Sequence, residues 1–341
     1  MIRVGIIGAT GYTALELIKI LLRHPEVVIE CVTSRENLGV GLDKTHAQLR
    51  DCTNLVLEEF DPQKVADRVD FAFCCLPHGA SAESVKKLCA KGVRVVDFSA
   101  DYRLSSLDEY QTWYETDHPH MDMVGKVPYG LPEFFRSEIE AADLVANPGC
   151  FPTSAILGIA PLIKAGLINT EAIIVDSKTG VSGAGRKPSL PFHYPECNES
   201  TAAYKVGSHR HQPEMEDVIQ RCSGSPVSCL FTPHLVPMER GILSTIYTRL
   251  NQDVQQQDLL DCLKKQYRSA PFVRVTDDLP ATRHVSGTNF CDLTVRVPSV
   301  GKESRHAIII SCLDNLIKGA SGAAVQNFNL MNGFDERTAL L

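Results

Sequence analysis

Asn147-Pro148-Gly149-Cys150-Phe151-Pro152-Thr153 holds the residue best suited to covalent chemistry. The apolar run Leu144-Val145-Ala146 before it reads as the end of a buried strand. Residues 154–167 after it carry Ala155, Ile156, Leu157, Ile159, Ala160, Leu162 and Ile163 at helical spacing. Cys150 is therefore expected at a strand-to-helix turn, with Pro148 and Gly149 forcing irregular backbone and Pro152 suiting the first helical turn. Open N–H groups and the positive dipole end favour the thiolate, the form that attacks carbon. The bland alternative is an inert buried thiol.

A second cluster, Ser208-His209-Arg210-His211-Gln212-Pro213-Glu214, leads into a helix expected from about residue 213. A helix N-terminus lowers an imidazole pKa, which suits proton exchange near neutrality. In an extended segment His209 and His211 point to opposite sides, so one of them is expected at the site. A metal pair would need a third ligand that the sequence does not offer, and no metal is expected. A third cluster, residues 178–187, is rich in glycine and hydroxyls and ends in Arg186-Lys187. Its N–H groups could wrap an anion. Gly180 and Gly185 have P-loop spacing, but Arg186 and Lys187 replace the required Lys and Ser/Thr, and Pro188 and Pro191 forbid the following helix. A triphosphatase is excluded; a substrate-phosphate or oxyanion loop remains. His234 with Arg240 is a secondary candidate.

The elements that must position these groups begin with residues 2–7, an apolar run typical of a doubly buried parallel strand. Gly8-Ala9-Thr10-Gly11-Tyr12-Thr13-Ala14 follows, then a helix over residues 14–22. This strand–glycine turn–helix sequence is a dinucleotide fingerprint, with Gly8, Thr10, Gly11 and Tyr12 at the pyrophosphate. The strand at 27–33 ends in Thr33-Ser34-Arg35, where an acidic residue would select NAD. Ser34 and Arg35 suit a 2′-phosphate, so NADP is the expected cofactor. Strands at 70–76 and 93–98 run into Pro77-His78-Gly79-Ala80-Ser81 and Ser99-Ala100-Asp101-Tyr102-Arg103. Pro77 is expected at the cofactor, His78 as a loop residue, and Arg103 as a candidate for an anionic substrate. Residues 104–127 read as an irregular excursion.

Beyond residue 167 the pattern changes. Strand-like stretches at 172–177, 227–232, 242–250, 273–275, 289–298 and 306–312 have only two clear helices among them, at 214–222 and 253–269. An amphipathic helix with a small-residue face is expected at 316–330, returning to the first domain. The fold class is thus α/β, a Rossmann-type doubly wound parallel sheet plus an α+β domain with a mostly antiparallel sheet. The domains expected are 1–149 with 314–341, and 150–313.

The 341 residues, 44% hydrophobic and 22% charged with net charge −7, describe a globular protein. Without long basic runs or an apolar span of membrane length, neither nucleic acid nor membrane is an expected partner. The twelve cysteines are scattered, and Met1-Ile2-Arg3-Val4 runs straight into a strand without a leader. Reduced thiols in a cytoplasmic enzyme are expected, since Cys74-Cys75 with His78 makes a poor zinc site.

Gly-Ala-Thr-Gly-Tyr at 8–12, Asn-Pro-Gly-Cys-Phe-Pro-Thr at 147–153, Gly-Val-Ser-Gly-Ala-Gly-Arg at 180–186, His-Arg-His-Gln-Pro-Glu at 209–214, Thr-Pro-His-Leu at 232–235 and Asp-Asn-Leu-Ile-Lys-Gly-Ala at 314–320 stand in this order. Together they resemble the N-acetyl-γ-glutamyl-phosphate reductase family from end to end. The resemblance implies NADPH-dependent reduction of N-acetyl-γ-glutamyl phosphate to the semialdehyde in arginine biosynthesis. It also implies the semialdehyde dehydrogenase two-domain fold and a homodimer or homotetramer. Carried over by motif, Cys150 is the nucleophile, held as a thioester, and His209 or His211 is the acid/base. Arg103, Asn147, Ser182, Gly185, Arg186 and His209 are then substrate residues, and Ser182, Gly183 and Asn315 join the cofactor set. The family's usual glycine is replaced at Ala14. Alternatives are an aspartate-semialdehyde dehydrogenase, an aminoadipyl-type reductase, and a NADP-binding redox regulator that turns over no acyl phosphate.

Overall fold

The computed structural model describes residues 1–251, 254–298 and 305–341. The chain forms two compact units, Met1–Pro148 with Ala320–Leu341, and Gly149–Gly319. Residues 314–319, placed with the first domain on sequence grounds, group with the second. Asp314 explains this, because its carboxylate accepts from Gly287 N at 2.6 Å, inside the second unit.

In the first unit, β1 (Ile2–Ile7), β2 (Val27–Thr33), β3 (Leu57–Glu58), β4 (Phe71–Cys74), β5 (Arg94–Asp97) and β6 (Leu144–Ala146) form one sheet in the order β3-β2-β1-β4-β5-β6. Its pairings are parallel. Strand order reverses beside β1, which makes the ends of β1 and β4 a switch point. The glycine turn leads into helix Tyr12–Leu21, and helix Ser81–Cys89 follows β4. Residues 104–127, expected to be irregular, contain helix Leu107–Tyr114, capped by Ser106 accepting from Glu109 N at 3.2 Å. The returning helix, Gly322–Met331, is buried over all ten residues, so it is not amphipathic. Phe328 sets an edge against Phe71 at 4.8 Å. Its buried amides reach internal partners: Asn327 Nδ2 donates to Gly130 O at 2.9 Å, and Asn329 Oδ1 pairs with His24 Nε2 at 2.9 Å, while Asn327 Oδ1 has none among the described residues.

The second unit is built on β7 (Ile173–Thr179), β8 (Ala202–Ala203), β9 (Cys229–Leu235), β10 (Ile242–Arg249), β11 (Val273–Val275), β12 (Cys291–Arg296) and β13 (His306–Leu313). Their order is β11-β12-β13-β10-β7-β9-β8, with two parallel pairings, β7 with β9 and β11 with β12. Helix Cys150–Lys164 lies on one face and is buried from Phe151 to Ile163. A helix apolar all round needs such burial. Serine hydroxyls fix its seat: Ser154 Oγ meets Ser244 Oγ at 2.8 Å and Ser311 Oγ at 2.9 Å. Gly158 allows the approach, since a Cβ there would stand 3.0 Å from Ile309 Cγ2. Helices His211–Ser223 and Gln256–Gln266 complete the layer. The latter was expected from residue 253, which lies outside the described residues.

Candidate active site

The nucleophile helix starts four residues earlier than the apolar periodicity implies. Gly149 is its N-cap and Cys150 its first residue, so Cys150 lies in the turn whose N–H groups have no helical acceptor. Pro152 falls in that same turn, where its missing N–H costs nothing. Glu214 fixes the entry, because its buried carboxylate accepts from Gly149 N at 2.8 Å. Cys150 itself is half-buried.

The His209 and His211 rings lie 4.8 Å apart. They do not diverge as expected, since helix His211–Ser223 begins at His211 and Arg210 is already in helical backbone, so the segment is coiled and not extended. Both rings meet Phe151 edge-on, at 5.7 and 5.8 Å. His209 also sits 5.2 Å from Phe231 and 5.6 Å from Tyr204. This apolar surround, with Lys205 and Arg210 adding to it, pushes the His209 pKa down to about 4. Its Nδ1 accepts from His211 N at 3.1 Å. Neutral His209 therefore carries its proton on Nε2. Burial, with the charge of Cys150 as a further cause, raises the Tyr204 phenol well above its ordinary pKa. Tyr204 also lines a mostly apolar cavity of about 380 Å³ with Val181, Leu190, Leu235 and Val236. No sequence motif marked Tyr204, and Glu214 stood in the 209–214 motif without an assigned role.

The 180–186 loop is not the amide cradle its composition invites. Gly180, Val181 and Ser182 donate their N–H groups to Gly241, Met238 and Glu239 carbonyls, and Gly185 N donates to Ser182 O. Gly180 is indispensable here, since a Cβ would stand 2.5 Å from Glu239 O. The cationic side chains of Arg186 and Lys187 stand at the loop's exposed end. Asn315 ties the loops: its Oδ1 accepts from Gly241 N at 2.7 Å and its Nδ2 donates to Ser182 Oγ at 3.1 Å. Gly183 lies alongside the same amide. His234 pairs with Asp176 at 3.1 Å, and Arg240 with Asp314 at 3.4 Å, both framework contacts.

In the first unit Gly8 has φ +90°, and a Cβ would stand 2.8 Å from Cys75 O. Only glycine fits. Gly8 N and Ala9 N donate to Thr33 O, and buried His46 holds Ala9 O at 2.9 Å. Helix Tyr12–Leu21 then opens behind Gly11, which has no side chain to cap it. Its first-turn N–H groups suit a pyrophosphate, so the residues present fit a dinucleotide. Ala14 is fully buried, small enough for the helix–strand contact. Ser34 Oγ accepts from Glu36 N at 3.1 Å, and Arg35 is exposed beside it. The next loops are pinned by two buried acids. Asp101 accepts from Gly79 N and Ala82 N, while Asp97 takes Ser81 and Ser99 hydroxyls at 2.5 Å each. Burial first, then the neighbouring Asp101, raises the Asp97 pKa to about 6. This pinning holds exposed Pro77 and His78 in place; His78 Nδ1 accepts from Ala100 N at 2.9 Å.

Two candidates are spent on architecture. Arg103 is buried and donates to Asn147 O and Phe98 O, both at 2.8 Å. Asn147 Nδ2 donates to Ala320 O at 2.9 Å and its Oδ1 accepts from Asn327. Both side chains pair main-chain carbonyls that a dry interior cannot leave unmatched. Among the described residues, no group of three or more metal-ligating side chains is gathered.

A thiol at a helix start whose neighbour Phe151 meets two imidazoles, together with a dinucleotide-type glycine turn in the first unit, is the equipment of an oxidoreductase. The chain belongs to the semialdehyde dehydrogenase family: residues 3–142 match its NAD binding domain and residues 150–315 its dimerisation domain. Within that family the relatives are N-acetyl-gamma-glutamyl-phosphate reductases. That of Rhodopirellula baltica is 52% identical over 345 residues, covering 100% of this chain and 98% of the relative. That of Desulforudis audaxviator is 46% identical over 343 residues, with the same coverage. Among solved structures, aspartate semialdehyde dehydrogenase II of Vibrio cholerae superposes with TM-score 0.73 at 18% identity, over 98% of both chains. The Candida albicans aspartate semialdehyde dehydrogenase with NADP gives TM-score 0.72 at 16% identity, over 97% of this chain and 98% of that one. These last two likenesses are of fold.

Proposed function

We propose that this protein reduces N-acetyl-γ-glutamyl phosphate to N-acetylglutamate 5-semialdehyde with NADPH, releasing phosphate, as a step of arginine biosynthesis. The observation that carries the reading is Cys150 as first residue of a buried helix, with both imidazoles packed on its neighbour Phe151 and Tyr204 on His209. The 46–52% identity to reductases of that name supplies the substrate. The Cys150 thiolate attacks the acyl carbon; the carbon–oxygen bond to phosphate breaks and a thioester forms. Open N–H groups of the first helical turn face the oxygen that becomes negative. His209, neutral and protonated on Nε2, serves as a hydrogen-bond donor to substrate, which leaves His211 to give the proton to the departing phosphate. NADPH, when bound, supplies the hydride that reduces the thioester carbon. The carbon–sulfur bond then breaks, the aldehyde leaves, and the thiolate is restored on Cys150. Arg186 meets the phosphate, and Ser34 with Arg35 favours NADP over NAD.

The dimerisation-domain match supports a homo-oligomer built on a dimer. Its surface is the outer face of the second sheet, where Ile174 stands opposite both Leu230 and Tyr247 across three strands. All three are exposed, Leu230 by 63%. Twelve free thiols suit a reducing cytoplasm. No helix among the described residues is long and apolar enough to cross a membrane.

The test runs the reaction backwards. N-acetylglutamate semialdehyde, phosphate and NADP⁺ should yield NADPH absorbance that depends on phosphate and vanishes in Cys150→Ser. Faster turnover of aspartate semialdehyde would move the protein to the neighbouring activity. Binding of NADP⁺ without turnover of either aldehyde would overturn the substrate.

A further inference from the structure

One feature of the second unit bears directly on Cys150 and comes from a distant stretch of sequence. Residues Ile317–Ser321 form a π-turn. Asp314 O accepts from Gly319 N at 2.9 Å, the wide i to i+5 closure of that geometry. The turn brings the Gly319 main chain onto the nucleophile. A Cβ built on Gly319 would stand 2.7 Å from Cys150 Cβ and 3.2 Å from Cys150 Cα. Carbon atoms repel steeply below about 3.5 Å. Gly319 has no positive φ, so the demand for glycine is one of space alone. Such single π-turns inside helices cluster at functional positions.

The turn is also held with unusual firmness. Asp314, fully buried, accepts from Leu316 N at 2.8 Å and Ile317 N at 3.2 Å through one oxygen, and from Gly287 N at 2.6 Å through the other. Its neighbour Asn315 anchors the Ser182 loop. A charged acceptor pinned by three main-chain donors resists displacement.

From these contacts we infer that Gly319 is a positioning residue for the reaction: the π-turn is a backstop that fixes Cys150 at the first position of its helix. The inference rests on Cys150 being the nucleophile. Gly319→Ala should push the Cys150 backbone by several tenths of an ångström, and displacements on the order of 1 Å cost about 10² in rate. Turnover should therefore fall 10- to 100-fold, with KM for the acyl phosphate within threefold of wild type. A second readout needs no substrate. The midpoint of the pH dependence of Cys150 alkylation by iodoacetamide should rise, because the sulfur leaves the N–H groups that favour its thiolate. A merely structural role would lower the melting temperature without moving that midpoint.

Asp314→Asn is the companion variant, should Gly319→Ala not fold. It adds no atom, but turns an amide NH₂ or a weaker acceptor toward the three donors, and should shift the alkylation midpoint in the same direction. A wild-type midpoint and turnover in a folded Gly319→Ala protein would overturn the inference, as would an unmoved midpoint in Asp314→Asn. Normal alkylation behaviour in a wild-type protein that fails to turn over N-acetyl-γ-glutamyl phosphate would count against the assigned substrate and leave the backstop intact.

Discussion

His209 shows how a single imidazole can be assigned a role by its surroundings. Its Nδ1 is occupied by the His211 N–H, and burial carries its pKa down to about 4. The sign of the linkage follows. Between the ordinary histidine value near 6.5 and about 4, the unfolded chain binds a proton that the folded one refuses, so stability falls as pH drops through that window. The full shift corresponds to roughly 3 kcal/mol, reduced by the ring's partial exposure to about 1–2 kcal/mol. Urea unfolding at pH 7.5 and pH 5 samples about three fifths of that window, so the wild-type drop should exceed that of His209→Gln by about 1 kcal/mol. Equal drops would remove the shifted imidazole from the account. Turnover separates the pair: His211→Gln should lose about 10²–10⁴-fold in kcat, the usual worth of a general acid, and His209→Gln distinctly less. Equal losses would leave no distinction between the two roles. Cys150 and the two histidines were legible in the sequence because thiol and imidazole have few other uses beside Pro-Gly and helix starts. Tyr204 was not, since a tyrosine in polar sequence has no pattern until the fold puts its ring on His209. Arg103 and Asn147 misled for a related reason, because their side-chain chemistry looks the same whether it meets a substrate or a backbone carbonyl.

At the scale of elements, the site depends on two helix beginnings being joined. Glu214, in the first turn of the His211 helix, accepts the Gly149 N–H that caps the Cys150 helix. Removing the acceptor leaves a buried N–H unpaired at a cost of about 1–3 kcal/mol, and frees the turn that carries the thiol. Glu214→Ala should lower both kcat, by about tenfold or more, and the melting temperature. Glu214→Gln keeps an acceptor oxygen in place and should recover most of both. If Gln behaves as badly as Ala in turnover while restoring stability, the carboxylate has a chemical duty beyond holding Gly149. Strands β1, β2, β6 and β11 coincide with the strand-like stretches read from the chain, and for β1 and β6 burial in a parallel sheet leaves a continuous apolar run. Apolar periodicity alone begins the Cys150 helix at residue 154, because its first turn, Cys150-Phe151-Pro152-Thr153, carries none; the thiol's place at the strand-to-helix turn and Pro152 mark the true start. Helix Leu107–Tyr114 was missed although Ser106 and Glu109 stand in capping-box spacing. The 180–186 loop misled in the opposite sense: glycine-rich composition announces close backbone approach, and here the approach is to residues 238–241 rather than to an anion.

At the scale of the whole molecule, the order of elements explains why the chain's class could be read without its assembly. Six parallel strands leave continuous apolar runs and the mixed sheet an alternating pattern, both of which sequence displays. The same alternation hides what the outward residues do, because one face of β7 and β10 is core and the other is open. Ile174, Leu230 and Tyr247 form a row across neighbouring strands on that open face. A contiguous exposed apolar patch of this kind is the usual mark of an association surface. A second copy meeting it face to face makes an isologous contact, which closes and does not propagate. Wild type should then elute, by light scattering, at twice 37.5 kDa or a higher even multiple. Leu230→Asp points its new charge outward and disturbs no core contact, so the variant should remain folded by circular dichroism and fall to 37.5 kDa. Its melting temperature should lose the dependence on protein concentration that coupled association gives the wild type. An unchanged mass in Leu230→Asp would place the interface on another surface and leave this apolar row unexplained.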